Sequence, residues 1–358
     1  MQTIVQVVQH LRPGGLETMA LDILRFSQNR ERMIIVSLEG DKKTALQSWP
    51  RLSAFEDQLV FLNKPDGFSL STLRSLSDLL RQVNADVIHT HHIGPLIYGG
   101  LAAKLTGLVS HVHTEHDAWH LDDNKRAKLQ KLAIWMSNPV VVAAGGRIAA
   151  TLETKLQLPF ILTIRNGIDS QKFTPGCAKN ARQVMGLPQD ATILGCAGRL
   201  EPVKCQQLMI EALPHLPPSV HLAIAGTGSL SERLKSRAHI LGVENRVHFL
   251  GLVEDMPTFY QSLDLFCLPS HNEGFPLSTL EAQSCGIPTA VSMIGGSMET
   301  LCPETGRLLD VSNPEGLASS INKILATPIS GTPRNHIVKS NDVRLMAWAY
   351  DDLCKKVA

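Results

Sequence analysis

Short apolar runs rich in Val and Ile recur along this chain, separated by stretches with a helical pattern. Runs of nearly continuous hydrophobicity are typical of parallel strands buried on both faces, and their alternation with helices predicts an α/β fold. The pattern runs through once, breaks, and runs through again. The predicted strands cover residues 3–8, 33–38, 59–62, 86–91, 110–115 and 140–144, then 191–198, 220–226, 246–251, 263–270 and 287–292.

A segment of different composition separates the two halves. Residues 165–177, RNGIDSQKFTPGC, contain Asn-Gly and Pro-Gly and few apolar residues, so they are predicted to form a turn and linker. We therefore predict Rossmann-like domains at 1–168 and 169–340, with 341–358 forming a helix that returns to the first domain. Ligands of open parallel sheets bind beyond the carboxyl ends of the strands, so two such edges facing each other would make an interdomain cleft.

Charge and composition argue against several classes of protein. The net charge of +1 gives no support for a nucleic-acid partner. The first residues, MQTIVQVVQH, lack the basic region of a signal peptide, and no apolar run approaches the roughly 20 residues of a membrane span. The seven cysteines contain no C-x-x-C pair. A reducing cytoplasm is the expected compartment.

The most informative stretch, 270–288, reads SHNEGFPLSTLEAQSCGIP and leads from an apolar strand into a helix with Pro276 near its first turn. Glu273 precedes this helix and Glu281 lies within it, no more than roughly 12 Å apart along the axis. That spacing suits two carboxylates that bind separate sets of hydroxyls, whereas an arbitrary pair of glutamates would more often be solvated. Backbone amides at the helix start can face an anion or hydroxyls. They lie around Phe275, Leu277 and Ser278.

A second stretch, 198–213, reads GRLEPVKCQQLMIEAL and begins where a predicted strand ends. Arg199 and Lys204 lie in the connection to the next helix, where fixed cations can bind a diphosphate. Cations in a loop are more often surface charges, but a place at the carboxyl end of a parallel strand favours the functional interpretation.

Two glycine-containing turns are weaker signals. Gly14 and Gly15 follow the first strand and let the backbone approach a ligand closely, although they could equally form a plain turn. The segment 226–234, GTGSLSERL, also follows a strand but lacks the third glycine of the dinucleotide fingerprint, so NAD binding is not indicated.

Seven of the fourteen histidines fall between residues 89 and 120. Metal binding is one interpretation of such a group. Alternation along a strand places His89 with His91 and His111 with His113, and strand-end histidines can equally act as hydrogen-bond donors in a polar cleft, which we favour. No D-x-D motif is present, and no metal is expected. His116, just past a strand, is the best candidate to contact a substrate.

Together these segments resemble the retaining glycosyltransferases of family 4, which have the GT-B fold and belong to glycosyltransferase group 1. The likeness runs in order through nearly the whole chain, and the two-glutamate spacing is its most specific element. The motifs are GGLE (14–17), TEHD (114–117), RNGID (165–169), GRLEPVK (198–204), HFLGLVEDMPTFYQSLDLFCLPS (248–270) and EGFPLSTLEAQSCGIPTAVS (273–292). Cys205, Met293 and 143–145 depart from the family pattern without removing a proposed binding group.

The resemblance implies a role for each matching position. Glu281 would hold the ribose of a nucleotide-sugar donor, Arg199 and Lys204 would neutralise its diphosphate, and His116 would contact the transferred sugar, with His113 as the alternative. Glu273 and the residues after it would hold the sugar and a phosphate. Those further residues are Gly274, Phe275, Leu277 and Ser278. Gly14 or Gly15 would approach the diphosphate, and Val253 would border the base.

The implied activity is a retaining, metal-independent and cofactor-free transfer of a hexose or N-acetylhexosamine to a glycan or lipid-linked acceptor, in cell-envelope polysaccharide or lipopolysaccharide synthesis. The first domain would bind the acceptor and the second the donor. The alternatives are a non-hydrolysing sugar-nucleotide epimerase and a non-catalytic sugar-nucleotide or glycan-binding protein. The intact EGFPLSTLE segment argues against the first, and retention of every proposed charged group against the second.

One predicted helix in the first half combines cations with exposed apolar residues. Residues 124–137, NKRAKLQKLAIWMS, carry four basic residues beside Trp135 and Met136. This pattern suits either a solvated basic face or attraction to an anionic membrane surface. The expected location is therefore cytoplasmic, with peripheral contact at the inner face of the membrane as the sharper hypothesis.

Overall fold

The structure is a computed structural model that describes residues 1–328 and 331–358. The strands are β1 Ile4–Val8, β2 Met33–Ser37, β3 Leu59–Phe61, β4 Val87–His91, β5 His111–Glu115, β6 Val140–Ala143, β7 Leu162–Thr163, β8 Thr192–Ala197, β9 Val220–Ala225, β10 Val247–Gly251, β11 Leu265–Leu268, β12 Thr289–Ser292 and β13 Arg307–Leu309. The α-helices are α1 Gly15–Phe26, α2 Lys42–Ser48, α3 Leu70–Gln82, α4 Ile93–Thr106, α5 Asn124–Ser137, α6 Gly146–Leu156, α7 Ala178–Met185, α8 Gln206–Ala212, α9 Ser231–Ile240, α10 Met256–Gln261, α11 Leu277–Ser284, α12 Pro314–Ala326, α13 Arg334–Ser340 and α14 Val343–Val357.

The chain divides into two compact units. Unit 1 comprises residues 1–167 together with 343–358, and unit 2 comprises residues 168–342. The division falls at the segment that the sequence marks as a linker, and α14 belongs to unit 1 although it is the last helix of the chain.

Unit 1 is built on a parallel sheet in the order β3-β2-β1-β4-β5-β6-β7. On β1, Ile4 and Val8 point to the face covered by α1 and α14, and Val5 and Val7 to the face covered by α3 and α4. Because both faces are covered, strand residues are apolar without strict alternation, and burying each such side chain contributes about 1.5–3 kcal/mol.

Unit 2 is built on a parallel sheet in the order β10-β9-β8-β11-β12-β13. Leu194, Leu222 and Leu265 from three neighbouring strands pack with Ile210 of α8 and Ile321 of α12. The eleven predicted strands are all present. The sequence analysis missed β7 and β13, which have two and three residues.

In each sheet the strand order reverses beside the first strand of that unit. In unit 1 the chain order runs outward from β1 to β3 on one side and from β4 onward on the other, and in unit 2 the same change falls between β8 and β11. This strand order leaves a crevice at the carboxyl ends of the two central strands, where ligands of doubly wound sheets bind.

Among residues 1–328 and 331–358, no helix has both the length and the apolar character needed to cross a membrane.

Candidate functional site

Lys204 and Glu273 form an ion pair at the point where the strand order of the unit 2 sheet reverses. Lys204 ends the 3-10 helix Pro202–Lys204 that follows β8, and Glu273 lies in the loop after β11, which pairs with β8. Lys204 Nζ lies 2.6 Å from Glu273 Oε1, and the two side chains are only 20% and 9% exposed. The pair therefore joins two segments that the sequence assigned to separate parts of one donor.

Backbone contacts hold these two segments together. The amide of His271 donates to the carbonyl of Val203 at 2.8 Å, and the amide of Gly296 donates to the carbonyl of Glu273 at 3.1 Å. A Cβ on Gly295 would lie 2.2 Å from that same carbonyl oxygen, so only glycine permits the approach. The sequence analysis missed this glycine, although its place after β12 was a usable signal.

The Gly-x-Gly of residues 226–228 has a steric role. A Cβ on Gly226 would lie 2.0 Å from the carbonyl oxygen of Gly198, and one on Gly228 would lie 2.5 Å from that of Leu200. The amide of Leu200 also donates to the carbonyl of Thr227 at 2.9 Å. These glycines therefore support the backbone that carries Arg199, which itself is exposed.

Glu281 of α11 has a hydrogen-bond donor that the sequence analysis missed. Tyr260 Oη donates to Glu281 Oε2 at 2.7 Å. Tyr260 is fully buried, and burial together with the Glu281 charge raises the pKa of its phenol well above the ordinary value, so the phenol keeps its proton. Tyr260 lies inside the HFLGLVEDMPTFYQ motif, where the sequence offered no reason to single it out.

Four of the remaining predicted residues of unit 2 lie between these two glutamates in the chain, and the fifth, Val253, precedes them. Gly274 and Phe275 are buried in the loop before α11, whereas Leu277 and Ser278 are half-buried in its first turn. Val253 is half-buried between β10 and α10. Their assignment to the sugar, phosphate and base stays a prediction.

Gly14 and Gly15 differ in what the structure requires of them. Gly14 precedes α1, and a Cβ there would lie 2.2 Å from Glu17 Oε2, so the buried Glu17 restricts this position to a residue without a side chain unless that carboxyl moves. Glu17 Oε1 lies 3.2 Å from His10 Nδ1. A Cβ on Gly15 would contact nothing within 4 Å. Gly14, and not Gly15, is therefore the glycine that a neighbouring side chain requires, and the approach of either one to a diphosphate stays a prediction.

The strand histidines of unit 1 form the two same-face pairs that their alternation predicts. The His89 and His91 rings lie 4.1 Å apart between centroids, and Thr90 Oγ1 bonds both His111 Nε2 at 2.9 Å and His113 Nδ1 at 3.0 Å. These four histidines are at most 3% exposed. They hydrogen-bond as expected, but they are enclosed by protein and do not line an open surface.

Burial keeps four of the seven histidines neutral. It lowers the pKa of His89 and His111 to about 3, with the neighbouring His113 adding to the shift. The pKa values of His91 and His116 lie well below the ordinary value, again because burial disfavours the charged ring and neighbouring histidines add repulsion.

Glu115 is the buried charge beside these rings. Burial opposes its ionisation, but hydrogen bonds from His113 and His92 outweigh that effect and hold its pKa below the ordinary value. His113 Nε2 lies 2.8 Å from Glu115 Oε1, to which Gln130 Nε2 also donates. For His92, burial is in turn outweighed by the hydrogen bond and charge of Glu115, so the pKa of His92 is raised.

His120 is a second histidine whose pKa is raised. Its Nδ1 lies 3.2 Å from Asp117 Oδ1, and its Nε2 lies 2.6 Å from Gln130 Oε1. Burial lowers its pKa, but the bonds to Asp117 and Gln130 and the charge of Glu115 together raise it to about 9. Within the described ranges, no group of three or more His, Cys, Asp and Glu side chains is arranged to hold a metal ion.

His92 also has an unusual backbone. It lies between β4 and α4 with φ 66° and ψ 170°, a region that glycine occupies and other residues avoid. Such a conformation stores about 1–3 kcal/mol and is concentrated at functional sites. Sequence reasoning counted His92 among the histidines but had no signal for this strain.

These features define a class of protein before any relative is considered. Two doubly wound parallel sheets, each with polar residues where its strand order reverses, are the architecture of the GT-B fold. The crystal structure of Anabaena HepE in complex with UDP-glucose shares this fold, with a TM-score of 0.85 and 23% identity over 99% of this chain and 100% of that chain. The predicted fold class is confirmed.

Family models then assign the chain. The model of glycosyl transferases group 1 matches residues 178–342, and the model of glycosyltransferase family 4 matches residues 13–172. The chain belongs to the group 1, family 4 glycosyltransferases, which confirms the resemblance.

Two curated relatives illustrate the family. The UDP-Gal:alpha-D-GlcNAc-diphosphoundecaprenol alpha-1,3-galactosyltransferase of Escherichia coli is 31% identical over 64% of this chain and 63% of its own length. The GDP-mannose-dependent monoacylated alpha-(1-6)-phosphatidylinositol monomannoside mannosyltransferase of Corynebacterium glutamicum is 25% identical over 89% of this chain and 87% of its own length. The chain thus matches less than two thirds of the first relative.

Proposed function

We propose that this chain transfers a sugar from a nucleotide-sugar donor to a glycan or lipid-linked acceptor. The observation that carries the proposal is the Lys204–Glu273 pair, which places one cation and one carboxylate where doubly wound sheets bind ligands. The names of the two curated relatives specify a nucleotide sugar and a lipid-linked acceptor. Those names differ in the base, so the donor of this chain is proposed only as a nucleoside-diphosphate sugar.

The charges support a mechanism in which the leaving group is stabilised by the protein. Breaking the bond between the sugar and the diphosphate builds negative charge on the leaving oxygens, which Lys204 and Arg199 oppose without a metal ion. The acceptor oxygen bonds to the anomeric carbon on the face from which the diphosphate leaves, and a diphosphate oxygen takes the acceptor's proton. The anomeric configuration is then retained. Proton NMR of the product measures that configuration, and inversion contradicts this mechanism.

Replacing Glu281 by alanine should abolish stabilisation by the donor nucleotide. Glu281 is proposed to accept hydrogen bonds from the ribose, while its Oε2 accepts a hydrogen bond from Tyr260 Oη. In the wild type, a nucleotide at 100 times its Kd should add about 2.7 kcal/mol to the free energy of unfolding. Thermal melts with UDP, GDP, ADP and TDP, without divalent metal, measure this effect.

The matched control for that experiment is Glu232→Ala, which removes an exposed glutamate of α9 and should leave the nucleotide shift unchanged. An unchanged shift in Glu281→Ala contradicts the ribose assignment. If no nucleotide stabilises a folded wild type, the alternative of a glycan-binding protein without a donor gains support. Conversion of the donor sugar without any acceptor would instead identify an epimerase.

Charge reversal on α5 should weaken binding to anionic vesicles. The exposed surface of this helix mixes Lys125 and Lys128 with Leu132 and Trp135, which are 50% and 78% exposed. Each basic residue near an anionic bilayer contributes about 1 kcal/mol, so Lys125→Glu with Lys128→Glu should reduce binding at least about 30-fold. Co-sedimentation with phosphatidylglycerol vesicles measures this reduction in binding. The proposed location of the protein is the inner face of the membrane, in peripheral contact with it.

The control reverses Lys355 and Lys356, two exposed lysines at the end of α14. Equal losses in the two double variants would indicate unspecific electrostatic attraction and not a contact through α5. No vesicle binding by the wild type would end this part of the proposal.

A further inference from the structure

A chain of buried side chains connects β1, β4 and the residue that follows β5. Gln6 Oε1 lies 3.2 Å from His91 Nε2, and His91 Nδ1 lies 3.1 Å from His116 Nε2. Gln6 and His91 are fully buried, and His116 is 9% exposed. These hydrogen-bonded side chains therefore run from the interior of the sheet to the histidine that the sequence singles out as a substrate contact.

The orientation of the Gln6 amide is determined by a backbone carbonyl. Gln6 Nε2 lies 3.1 Å from the carbonyl oxygen of Ala20 in α1, and that oxygen can only accept a hydrogen bond. The atom facing Ala20 must therefore be the amide nitrogen, and the atom facing His91 must be the amide oxygen. Since an oxygen of this kind only accepts, His91 Nε2 must carry a proton.

The single proton on His91 determines the state of the next ring. Burial lowers the pKa of His91 and of His116 well below the ordinary value, so each ring carries one proton. With its proton on Nε2, His91 offers only a lone pair at Nδ1. His116 Nε2 must then be the donor of the 3.1 Å hydrogen bond between the rings.

His116 is thereby left with an unprotonated Nδ1. In the part of the chain that the structure describes, the one hydrogen bond of His116 is made through Nε2, and Nδ1 has no protein partner. A lone pair at that atom accepts a hydrogen bond from a hydroxyl but cannot donate one.

We propose that Gln6 and His91 are positioning residues that hold His116 in the Nε2–H tautomer, so that its Nδ1 accepts a hydrogen bond from a hydroxyl of the bound sugar. The substrate group recognised here is a hydroxyl that donates, and a group that only accepts is disfavoured. The substrate part of this inference rests on the proposed function, whereas the tautomer itself does not.

Two substitutions of His91 separate tautomer control from simple packing. Asparagine places its Oδ1 where His91 Nδ1 lies, so His91→Asn keeps an acceptor for His116 Nε2–H. Leucine fills the space without an acceptor, so His91→Leu releases that proton. We expect transfer kcat/KM to fall about 10-fold in His91→Leu, since one hydrogen bond is lost, and to stay within about twofold of the wild type in His91→Asn.

The direct test is long-range 1H–15N NMR of the histidine side chains in the intact protein near pH 7.5. His116 signals are assigned by their loss in His116→Gln. The expected result is a protonated Nε2 and an unprotonated Nδ1 in the wild type and in His91→Asn, with a mixture of tautomers in His91→Leu. Gln6→Met, which removes the acceptor at the far end, should loosen the preference in the same way and replaces His91→Leu if that variant does not fold.

A wild-type His116 with its proton on Nδ1 overturns the proposal, whether or not the protein transfers sugar. An unchanged tautomer in both His91→Leu and Gln6→Met overturns it as well. If the protein shows no transfer with any donor while the tautomers follow the expected pattern, the proposed function fails and the positioning role of Gln6 and His91 stands.

Discussion

Replacing Lys204 by methionine should lower kcat/KM for sugar transfer by about 10²–10³-fold, the loss typical of removing one fixed charge from the stabilisation of a transition state. Methionine keeps most of the length of the side chain and removes the ammonium group. The diphosphate would then develop its charge beside Glu273, a carboxylate that is 9% exposed and has lost the cation 2.6 Å away. Thermal melts identify the nucleotide, and initial rates with sugars of that nucleotide measure the effect.

Two controls separate this chemical role from a structural one. Lys235→Met removes a lysine of α9 that is 51% exposed and should leave the rate unchanged. The double variant Lys204→Met with Glu273→Gln removes both charges of the pair. If Lys204 serves only to neutralise Glu273, the double variant recovers the wild-type rate. If Lys204 acts on the diphosphate, the double variant stays as slow as Lys204→Met or slower. Recovery, or a loss below 10-fold in the single variant, contradicts the proposed role.

The sequence predicted the strands and the fold class because both depend on local pattern. Runs such as IVQVV at 4–8 are recognisable without knowing their neighbours. The order of strands in each sheet is a property of pairs far apart in the chain, such as β8 with β11, and no local pattern contains it. The missed β7 and β13 have two and three residues, and they are defined by their pairing with β6 and β12.

The candidate site divides in the same way. Lys204 and Glu273 were each recognisable from their place after a strand, but their pairing spans 69 residues. Gly295 and Gly228 are required by atoms that approach them from other segments, so the sequence shows a glycine without its reason. Tyr260 becomes meaningful only through its bond to Glu281.

The histidines show the limit of pattern most clearly. Alternation predicted which rings share a face, as the contact of His89 with His91 confirms. Alternation could not predict that the pKa of some rings would be lowered and that of others raised. That difference follows from Glu115 and Asp117, which help to raise the pKa of His92 and His120 by more than burial lowers it.

These buried neutral histidines should make unit 1 unfold in mild acid before unit 2. His89 and His111 have a pKa of about 3 in the folded protein and about 6.5 when unfolded. The unfolded state therefore binds more protons between these values, and stability falls as the pH falls. Each such group removes about 1.4 kcal/mol per pH unit, so these two remove about 2.7 kcal/mol per unit below pH 6.5.

Two further groups steepen this dependence. His91 and His116 are shifted in the same direction, so the loss approaches about 5 kcal/mol per pH unit. A domain with a total stability of about 5–15 kcal/mol then unfolds within a few pH units. His120, whose pKa is raised to about 9, is charged in both states below pH 6.5 and does not oppose the loss. Its own contribution is lost as the pH rises through about 9, which gives unit 1 its greatest stability near neutrality.

Tryptophan fluorescence measures this unfolding separately from the rest of the chain. The four tryptophans, at positions 49, 119, 135 and 348, all belong to unit 1. In the described part of unit 2, the histidines with a lowered pKa are His221 and His248, and both are only half-buried. The fluorescence transition should therefore come at higher pH than the loss of the remaining helical circular dichroism signal.

A matched pair of histidine variants tests the cause. His89→Gln keeps a hydrogen-bonding nitrogen close to the position of Nε2, which bonds Thr114 Oγ1 at 2.8 Å, and removes one titrating group. Its acid dependence should be shallower by about 1.4 kcal/mol per pH unit. His239→Asn changes a histidine of α9 that is 81% exposed and should leave the transition unchanged. Equal slopes in wild type and His89→Gln, or coincident fluorescence and circular dichroism transitions, contradict the assignment of acid sensitivity to the buried histidines, because the loss of stability would then arise from groups that both units share.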